Sequence, residues 1–290
     1  MRRSVGEIAD TGYSVFSIKA ESKRQDFVHK KDRDVLVMCT AAALCILYFV
    51  AILAPIVAIA GYSGFRGIAA AIADKGVMSA VGISLKTSTA ALLLTFILGT
   101  PAAFFIKRRR ANPMSRILEV LSGLPVVLPP AVAGTALLLV FGRNGIIGAA
   151  LEKINVGIIF TPYAVVLAQF FVSSGFYIQM LGVGIGSIGD EIYEVSYILG
   201  AGKAETFFRI ILPMVKKPLA AGLILSWTRS MGEFGATLMF AGNLEGVTRT
   251  LPLEIYSLMQ SDINAAAAVS MILVTISLAA LFILKIRFSE

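Results

Sequence analysis

The stretch that decides the fold is Val35–Ala60, VLVMCTAAALCILYFVAILAPIVAIA, which contains no charged residue. A helix of about 20 apolar residues crosses a hydrocarbon core about 30 Å thick, so this stretch is long enough to span a membrane. The rest of the chain has the same character, because 57% of its residues are hydrophobic and only 15% are charged. Soluble domains carry about 25% charged residues, and the sequence therefore indicates a membrane protein.

Further apolar runs of similar length follow the first. They lie near Val81–Ile106, Leu121–Phe141, Pro162–Leu181, Leu219–Met239 and Ala265–Ile286. The sequence therefore predicts an all-α polytopic membrane protein with six transmembrane helices. The third run contains Pro125, Pro129 and Pro130. Each proline removes a helical hydrogen bond, so we expect this span to be bent.

Lysine and arginine residues indicate the orientation of the chain. They gather before the first run and after the second, fourth and sixth runs, at 30–33, 107–116, 203–217 and 285–287. Cytoplasmic loops of helical membrane proteins carry such an excess, whereas the other loops carry isolated charges such as Glu245 and Arg249. We therefore expect cytoplasmic N- and C-termini, a location in the cell membrane and contact with membrane lipid. This distribution explains the net charge of +8 without a nucleic-acid partner.

The connection between the fourth and fifth predicted spans is long and rich in isoleucine, leucine and phenylalanine. We expect Asp190 to cap a short helix on which Ile192, Val195 and Leu199 share one face. Gly200 then permits a tight turn. A second short helix, Ala204–Ile211, is expected to expose Phe207, Phe208, Ile210 and Ile211 and to stop at Pro213. The pattern predicts a helix–turn–helix on the cytoplasmic face that offers apolar side chains to a partner protein.

The same loop resembles a known family. The segment EVSYILG at 194–200, followed after nine residues by IILP at 210–213, is similar to the EAA loop of ABC importer permeases. Val195 and Ser196 replace two alanines of that motif. The resemblance implies that the loop docks on a separate ATPase subunit and couples ATP hydrolysis to the spans. The motif residues that carry this coupling role are Glu194, Gly200, Ile210, Leu212 and Pro213, and Phe207 and Phe208 are candidate apolar anchors for the partner.

These interpretations divide the chain into segments. We expect a cytoplasmic tail at 1–34, a first span at 35–60 and a permease core with five further spans at 81–286. The coupling loop occupies 190–213. A single docking loop, and six spans that are few to enclose a path, predict a homodimer that binds two ATPase subunits.

Further motifs resemble the molybdate, tungstate and sulfate permeases over most of the chain from Ser84 to Ile286. They are GLPVVLPP at 123–130, FGRNG at 141–145, RSMGEFGAT at 229–237 and TLPLEIY at 250–256. A departure occurs at Gly175-Phe176, where relatives often have Pro-Phe. The resemblance implies transport of an oxyanion, molybdate or tungstate, delivered by an extracytoplasmic binding protein. Sulfate or thiosulfate stays open as an alternative substrate.

A passage for a dianion requires polar groups inside the membrane, because the idealised cost of placing a bare charge in lipid is tens of kcal/mol. Hydroxyl groups hold an anion weakly enough to release it. The candidates are Ser84, Thr87, Ser88, Thr135, Ser173, Ser174, Ser226 and Thr237. Such residues also serve in helix packing, and both roles stay open. Arg229 and Glu233 are four residues apart, which predicts an intrahelical pair with a structural or gating role.

Two other classes of protein remain to be weighed. An ion-coupled secondary transporter would need acidic groups in its spans, and the predicted spans contain almost none besides Glu233. A membrane enzyme would need a nucleophile and base or metal ligands, and His29, the sole histidine, lies in the predicted tail. No Walker-type phosphate-binding motif is present. We therefore predict a transport subunit that is not an enzyme and holds no metal or cofactor.

Overall fold

The computed structural model describes the backbone of residues 4–109 and 112–288, and the side chains of 37–109, 112–283 and 286. The regular structure within these ranges is helical, as predicted. The helices are α1 (Ser4–Ala73), α2 (Lys75–Arg108), α3 (Pro113–Val127), α4 (Pro130–Phe141), α5 (Gly148–Glu152), α6 (Pro162–Gly186), α7 (Asp190–Ile198), α8 (Lys203–Glu205), α9 (Leu212–Met214), α10 (Lys216–Met231), α11 (Gly235–Ala241), α12 (Leu251–Met259) and α13 (Ile263–Phe288). A π-helical turn, Thr206–Ile211, joins α8 to α9. The predicted tail at 1–34, with His29, has no described side chains.

Four helical stretches of the described residues are long and apolar enough to cross a membrane. They are Val37–Ala73, Lys75–Arg108, Pro162–Gly186 and Ile263–Ile283. The pair α3 and α4 makes a fifth if both belong to one broken span. The structure thus supports a polytopic membrane protein with four to five candidate spans. The sixth span and the orientation stay predictions.

The chain forms two compact units, Met1–Ala58 and Ile59–Glu290. The described residues of the first unit are helical, and Pro55 lies inside their helix. In the second unit, Gly64 has φ 56° and ψ 160°, which interrupts the helical path of α1. A residue with a β-carbon rarely adopts this conformation, so the glycine explains the kink.

The third predicted span is broken rather than merely bent. α3 ends at Val127 and α4 begins at Pro130, and the two helix axes meet at 114°. Leu128 and Pro129 between them have extended backbone conformations. Proline disfavours helical geometry in the preceding residue, so the Pro129-Pro130 pair extends both Leu128 and Pro129. The predicted bend therefore exists, and consecutive prolines make it large.

The fifth predicted span, Leu219–Met239, is not one continuous helix. α10 ends at Met231, and α11 begins at Gly235 after a short break. A β-carbon added to Gly235 would lie 2.6 Å from the β-carbon of Pro130. The glycine therefore lets α11 approach the start of α4 closely. The prediction of an unbroken helix was wrong here because this contact depends on tertiary packing.

The second unit is packed around α6. Its Tyr177 is fully buried, and its hydroxyl forms a hydrogen bond of 2.6 Å with that of Thr100 on α2. β-carbons added to Gly99 on α2 and Gly222 on α10 would lie 2.9 and 3.1 Å from the Tyr177 ring. Small residues allow such close helix contacts in membranes. α6 is thus held between α2 and α10, the arrangement that positions the loop joining α6 to α10.

The segment between α11 and α12 contains an ion-pair network. Arg249 donates hydrogen bonds to Asn243 Oδ1 at 2.9 Å, Glu245 Oε2 at 3.2 Å and Glu254 Oε2 at 3.3 Å. Glu254 is only 6% exposed. Glu245 and Arg249, which belong to no basic cluster in the sequence, are therefore paired with each other in the structure.

Candidate functional site

The predicted coupling loop contains α7 as its first helix, which begins at Asp190 as expected. Gly189 occupies the capping position, however, and it provides no side-chain hydrogen bond. The Asp190 carboxylate instead accepts a hydrogen bond of 2.9 Å from Arg108 Nη1 at the end of α2. The prediction that Asp190 caps the helix was wrong, because its side chain is engaged by α2.

The side chains of α7 divide into two faces. Tyr193 and Ser196 are buried against the protein. The predicted apolar face is exposed: Ile192, Val195 and Leu199 have 37%, 53% and 80% of their surfaces accessible. Ile198, which the sequence analysis did not single out, is 83% exposed. We call Val195, Ile198 and Leu199 the outer face of α7. A contiguous apolar face of this kind fits contact with another protein.

The turn after α7 depends on Gly200. Its φ is +84°, a left-handed conformation that closes helices and favours glycine. The Gly200 and Ala201 N–H groups donate to the carbonyls of Tyr197 at 3.0 Å and Ser196 at 2.9 Å. No atom lies within 4 Å of an added β-carbon. The need for glycine is therefore conformational rather than steric.

The second predicted helix of the loop differs from expectation. Instead of a single α-helix over Ala204–Ile211, α8 passes into the π-helical turn. Ile211 is fully buried, and Phe207 is half-buried with its ring 4.8 Å from that of Phe104 on α2. The prediction that both side chains are exposed was wrong, and for Phe207 the reason is that Phe104 of α2 packs against its ring. Phe208 is exposed, as predicted.

The remaining predicted coupling residues occupy the surface of the loop. Glu194 is exposed on α7. Ile210 and Leu212 are half-buried, and Pro213 is exposed within α9. Pro213 does not end the helical segment, which continues to Met214. It is the second residue of α9, directly after the π-helical turn.

Contacts with the end of α2 hold the coupling loop in place. The Arg108 guanidinium lies 4.0 Å above the ring of Tyr193, in addition to its ion pair with Asp190. The centre of the Phe104 ring lies 6.5 Å from that of Tyr193 and 4.8 Å from that of Phe207. Burial raises the pKa of Tyr193 and Arg108 opposes this shift, so the phenol stays neutral and the contact is of the cation–π type. We call Phe104 and Arg108, with their contacts to Asp190, Tyr193 and Phe207, the α2 clamp.

The predicted path residues on α2 and α4 have partners within the packed helices. Ser84 Oγ accepts a hydrogen bond of 2.7 Å from the Leu251 N–H, and Ser88 Oγ donates to Met231 Sδ at 3.1 Å. Thr87 and Thr135 donate to carbonyls of their own helices at 2.8 and 2.9 Å. Thr135 is exposed on α4 and is not brought to the α2 group. Burial and these contacts favour the packing alternative for Ser84, Thr87 and Ser88, whereas the exposed Thr135 is bonded only within its own helix.

The predicted pair of Arg229 and Glu233 is present, with 2.9 Å between Nη1 and Oε2. Glu233 is 1% exposed and lies in the break between α10 and α11. Its other oxygen accepts a hydrogen bond of 2.7 Å from the Ala236 N–H. The pair is therefore not intrahelical as predicted. It bridges two helices across a break.

Several buried polar groups in the described part of the chain have no hydrogen-bond partner. They include both amide atoms of Gln169, Ser173 Oγ, Ser226 Oγ and Thr237 Oγ1. An unsatisfied buried polar group costs about 1 to 3 kcal/mol, and water, an ion or a substrate can supply the missing partner. Gln169 was missed by the sequence analysis. An amide within the apolar run at 162–181 was the available signal.

Comparison with known proteins identifies the family of this chain. The family described as the binding-protein-dependent transport system inner membrane component matches residues 91–288. The chain belongs to this family. The predictions of an ABC importer permease, of a location in the cell membrane and of a transport subunit are thereby confirmed. Membership also implies an ATPase and a binding protein as partners.

Three individual relatives show which transport systems this permease resembles. The chain is 48% identical to the probable transport system permease protein NifC of Clostridium pasteurianum over 248 residues, which cover 86% of this chain and 87% of the relative. It is 41% identical to the molybdenum transport system permease protein ModB of Mycobacterium tuberculosis over 81% of this chain and 88% of the relative. It is 34% identical to the sulfate transport system permease protein CysW of Synechococcus elongatus over 73% and 75% of the two chains.

A solved structure supports the fold. The permease is similar to a chain of the bacterial alginate ABC transporter in complex with its alginate pentasaccharide-bound periplasmic protein, with a TM-score of 0.70 and 17% identity. The match covers 88% of this chain and 94% of that chain. At this identity the likeness concerns the fold alone, and it agrees with an ABC permease architecture.

Proposed function

We propose that this permease transports a tetrahedral oxyanion, molybdate or tungstate, into the cell. The observation that carries the proposal is the 41% identity to a molybdenum permease over most of both chains. The identity to the sulfate permease is lower and covers less of the chain. Sulfate or thiosulfate is the second candidate because that relative is still recognisable over 73% of this chain.

The proposed path uses the polar groups that lack partners. Gln169, Ser173 and Thr237 can offer neutral donors to an anion once the surrounding helices separate. By contrast, Ser84 and Ser88 already form bonds between elements, which supports a packing role. The Arg229–Glu233 pair lies where α10 and α11 meet, and we assign it to a gate. Movement of α11 away from α10 would alter the Arg229–Glu233 ion pair. Both charged side chains would stay within the membrane-spanning part of the chain.

The proposed coupling divides the loop into two parts. The outer face of α7, with Glu194 and Gly200 beside it, contacts the ATPase. Phe207 acts from the opposite side by packing on α2, and the half-buried Ile210 and Leu212 fix the loop to the permease. Phe208 and Pro213 remain exposed at its surface. A loop that is rigidly attached can transmit displacement to the spans.

The proposed assembly contains two copies of this permease, two ATPase subunits and one extracytoplasmic binding protein. Each copy has six spans, with a cytoplasmic tail at 1–34, the first span at 35–60 and five further spans within 81–286. Native mass measurement of the purified complex should give this stoichiometry. Cysteines at positions 20 and 290 should react only from the cytoplasmic side of intact cells. Labelling from outside would contradict the orientation.

The substrate is tested by uptake in cells that lack their own molybdate importer. Cells that produce the permease, its ATPase and its binding protein should accumulate molybdate at low external concentration. Tungstate should compete at similar concentrations, and sulfate only at much higher ones. Uptake of sulfate with no competition by molybdate would favour the second candidate. Uptake that continues without the ATPase would contradict an ABC mechanism altogether.

A further inference from the structure

A cavity of about 670 Å³ lies between the end of α2 and the coupling loop. It is distinct from the outer face of α7. The α2 residues that line it are Pro101, Phe104, Phe105, Arg108 and Arg109. The loop residues that line it are Tyr193, Tyr197, Lys203, Thr206, Phe207 and Phe208. The walls therefore combine six aromatic rings with three cationic groups.

The charge of the cavity is positive. Among its described lining residues there is no carboxylate. Arg108 is engaged by Asp190 outside the lining. The Arg109 guanidinium lies 4.6 Å from the ring centre of Phe105, and Lys203 stands on the loop side of the cavity. Arg109 and Lys203 thus face a common space from two elements, an arrangement suited to an anionic group.

The aromatic part of the cavity is open. Phe105, Tyr197 and Phe208 have 43%, 42% and 64% of their surfaces accessible. Aromatic area beside paired cations fits a molecule with an apolar body and an anionic end. A small inorganic anion would leave the rings uncovered, and a neutral apolar molecule would leave the cations without a partner.

The level of the cavity relative to the membrane indicates the source of such a molecule. α2 has 34 residues and is about 51 Å long at about 1.5 Å per residue, whereas the hydrocarbon core is about 30 Å thick. Its last apolar residue is Ile106, and the basic run begins at Lys107. Basic residues that directly follow a span are attracted to anionic headgroups, so we expect the cavity to open at the level of the phospholipid headgroups.

The ATPase contact proposed above leaves this cavity accessible. At about 100° per residue, Tyr193 and Tyr197 lie on the face of α7 opposite Val195. The outer face and the cavity therefore use different sides of the same helix. We infer that the cavity binds an anionic phospholipid, with its phosphate between Arg109 and Lys203 and an acyl chain along Phe105 and Phe208. The bound lipid bridges α2 and the coupling loop beside the α2 clamp.

The inference rests on the proposed function only for the location of the loop at the cytoplasmic surface, and it is tested by lipid titration. The full permease chain, alone and with its ATPase, is titrated with phosphatidylglycerol or phosphatidylcholine in detergent, and bound lipid is counted by native mass spectrometry. We expect preferential binding of phosphatidylglycerol. Each basic residue near a membrane contributes about a five-fold factor in affinity, so Arg109→Gln with Lys203→Gln should lower it about 30-fold.

The matched control is Arg116→Gln with Lys217→Gln, which removes the same charge from exposed positions outside the cavity and should change affinity less than about three-fold. An equal loss in both double variants would overturn the inference, since it would indicate general surface attraction. Release of the lipid by added ATPase would overturn it too, because the ATPase would then be the occupant. Full competition by soluble glycerol phosphate would exclude an acyl chain from the site. If the ATPase does not bind the permease, the proposed function is contradicted, while lipid binding to the permease alone still tests the inference.

Discussion

Ile198→Ala tests the outer face of α7 directly. Ile198 is 83% exposed, so its outer carbon atoms are available to a partner and contribute little to the permease alone. Their burial at about 0.8 kcal/mol per carbon gives about 2 kcal/mol once ordering costs are subtracted. This corresponds to roughly a 30-fold loss in affinity for the ATPase. We expect ATP-dependent uptake to fall while the thermal unfolding midpoint of the solubilised permease stays unchanged.

The same substitution elsewhere in the loop supplies the control. Ile211 is fully buried, and truncation of such a side chain costs about 2 to 5 kcal/mol of stability. Ile211→Ala should therefore lower the unfolding midpoint, whereas Ile198→Ala should not. Affinity is measured by titrating the labelled ATPase against each purified permease. If Ile198→Ala bound the ATPase within about three-fold of the native affinity, the outer face would not be the docking surface.

Three further substitutions test features elsewhere in the chain. Gly200→Ala forces a β-carbon into a left-handed conformation and should lower stability by about 1 kcal/mol, read from the unfolding midpoint. Gln169→Leu removes an amide that is buried without a partner, so it should raise stability by about 1 to 3 kcal/mol while reducing uptake of labelled molybdate. Arg249→Ala leaves a buried carboxylate of α12 without its cation and should lower the unfolding midpoint by the equivalent of about 1 to 3 kcal/mol.

Each of these variants has a matched control. Gly186→Ala replaces a helical glycine with open space around it and should be neutral or stabilising. Gln179→Leu changes an exposed amide on the same helix as Gln169 and should leave uptake intact. Arg143 is 76% exposed and 3.9 Å from Glu152, so Arg143→Ala should have almost no effect. A variant and its control that behave alike would contradict the corresponding explanation.

Much of the fold was predictable because membrane spans depend on local composition. The length of the apolar runs gave the helices, and the prolines at 129 and 130 gave the bend. The break between α10 and α11 was not predictable in this way. A glycine inside an apolar run is compatible with a helix, and the close approach of Gly235 to Pro130 is a tertiary contact that no local pattern indicates.

The coupling loop shows where pattern reasoning ends. The periodicity of Val195 and Leu199 correctly indicated an apolar face on α7. No local pattern could indicate that Phe207 turns toward Phe104, a residue about a hundred positions earlier in the chain. Likewise, the sequence offers many hydroxyl side chains in the spans but does not say which ones have partners. Only the packed structure shows that Ser84 is hydrogen-bonded to the start of α12, whereas the Thr237 hydroxyl has no hydrogen-bond partner.

The α2 clamp has a mechanical consequence for the coupling loop. The chain connects the loop to α6 at one end and to α10 at the other. These two connections alone would allow the loop to rotate about the axis that joins them. The ion pair of Arg108 with Asp190 and the ring contact of Phe104 with Phe207 add a third point away from that axis. Three such points define a plane, so we expect a force applied anywhere on the loop to tilt α2, α6 and α10 together.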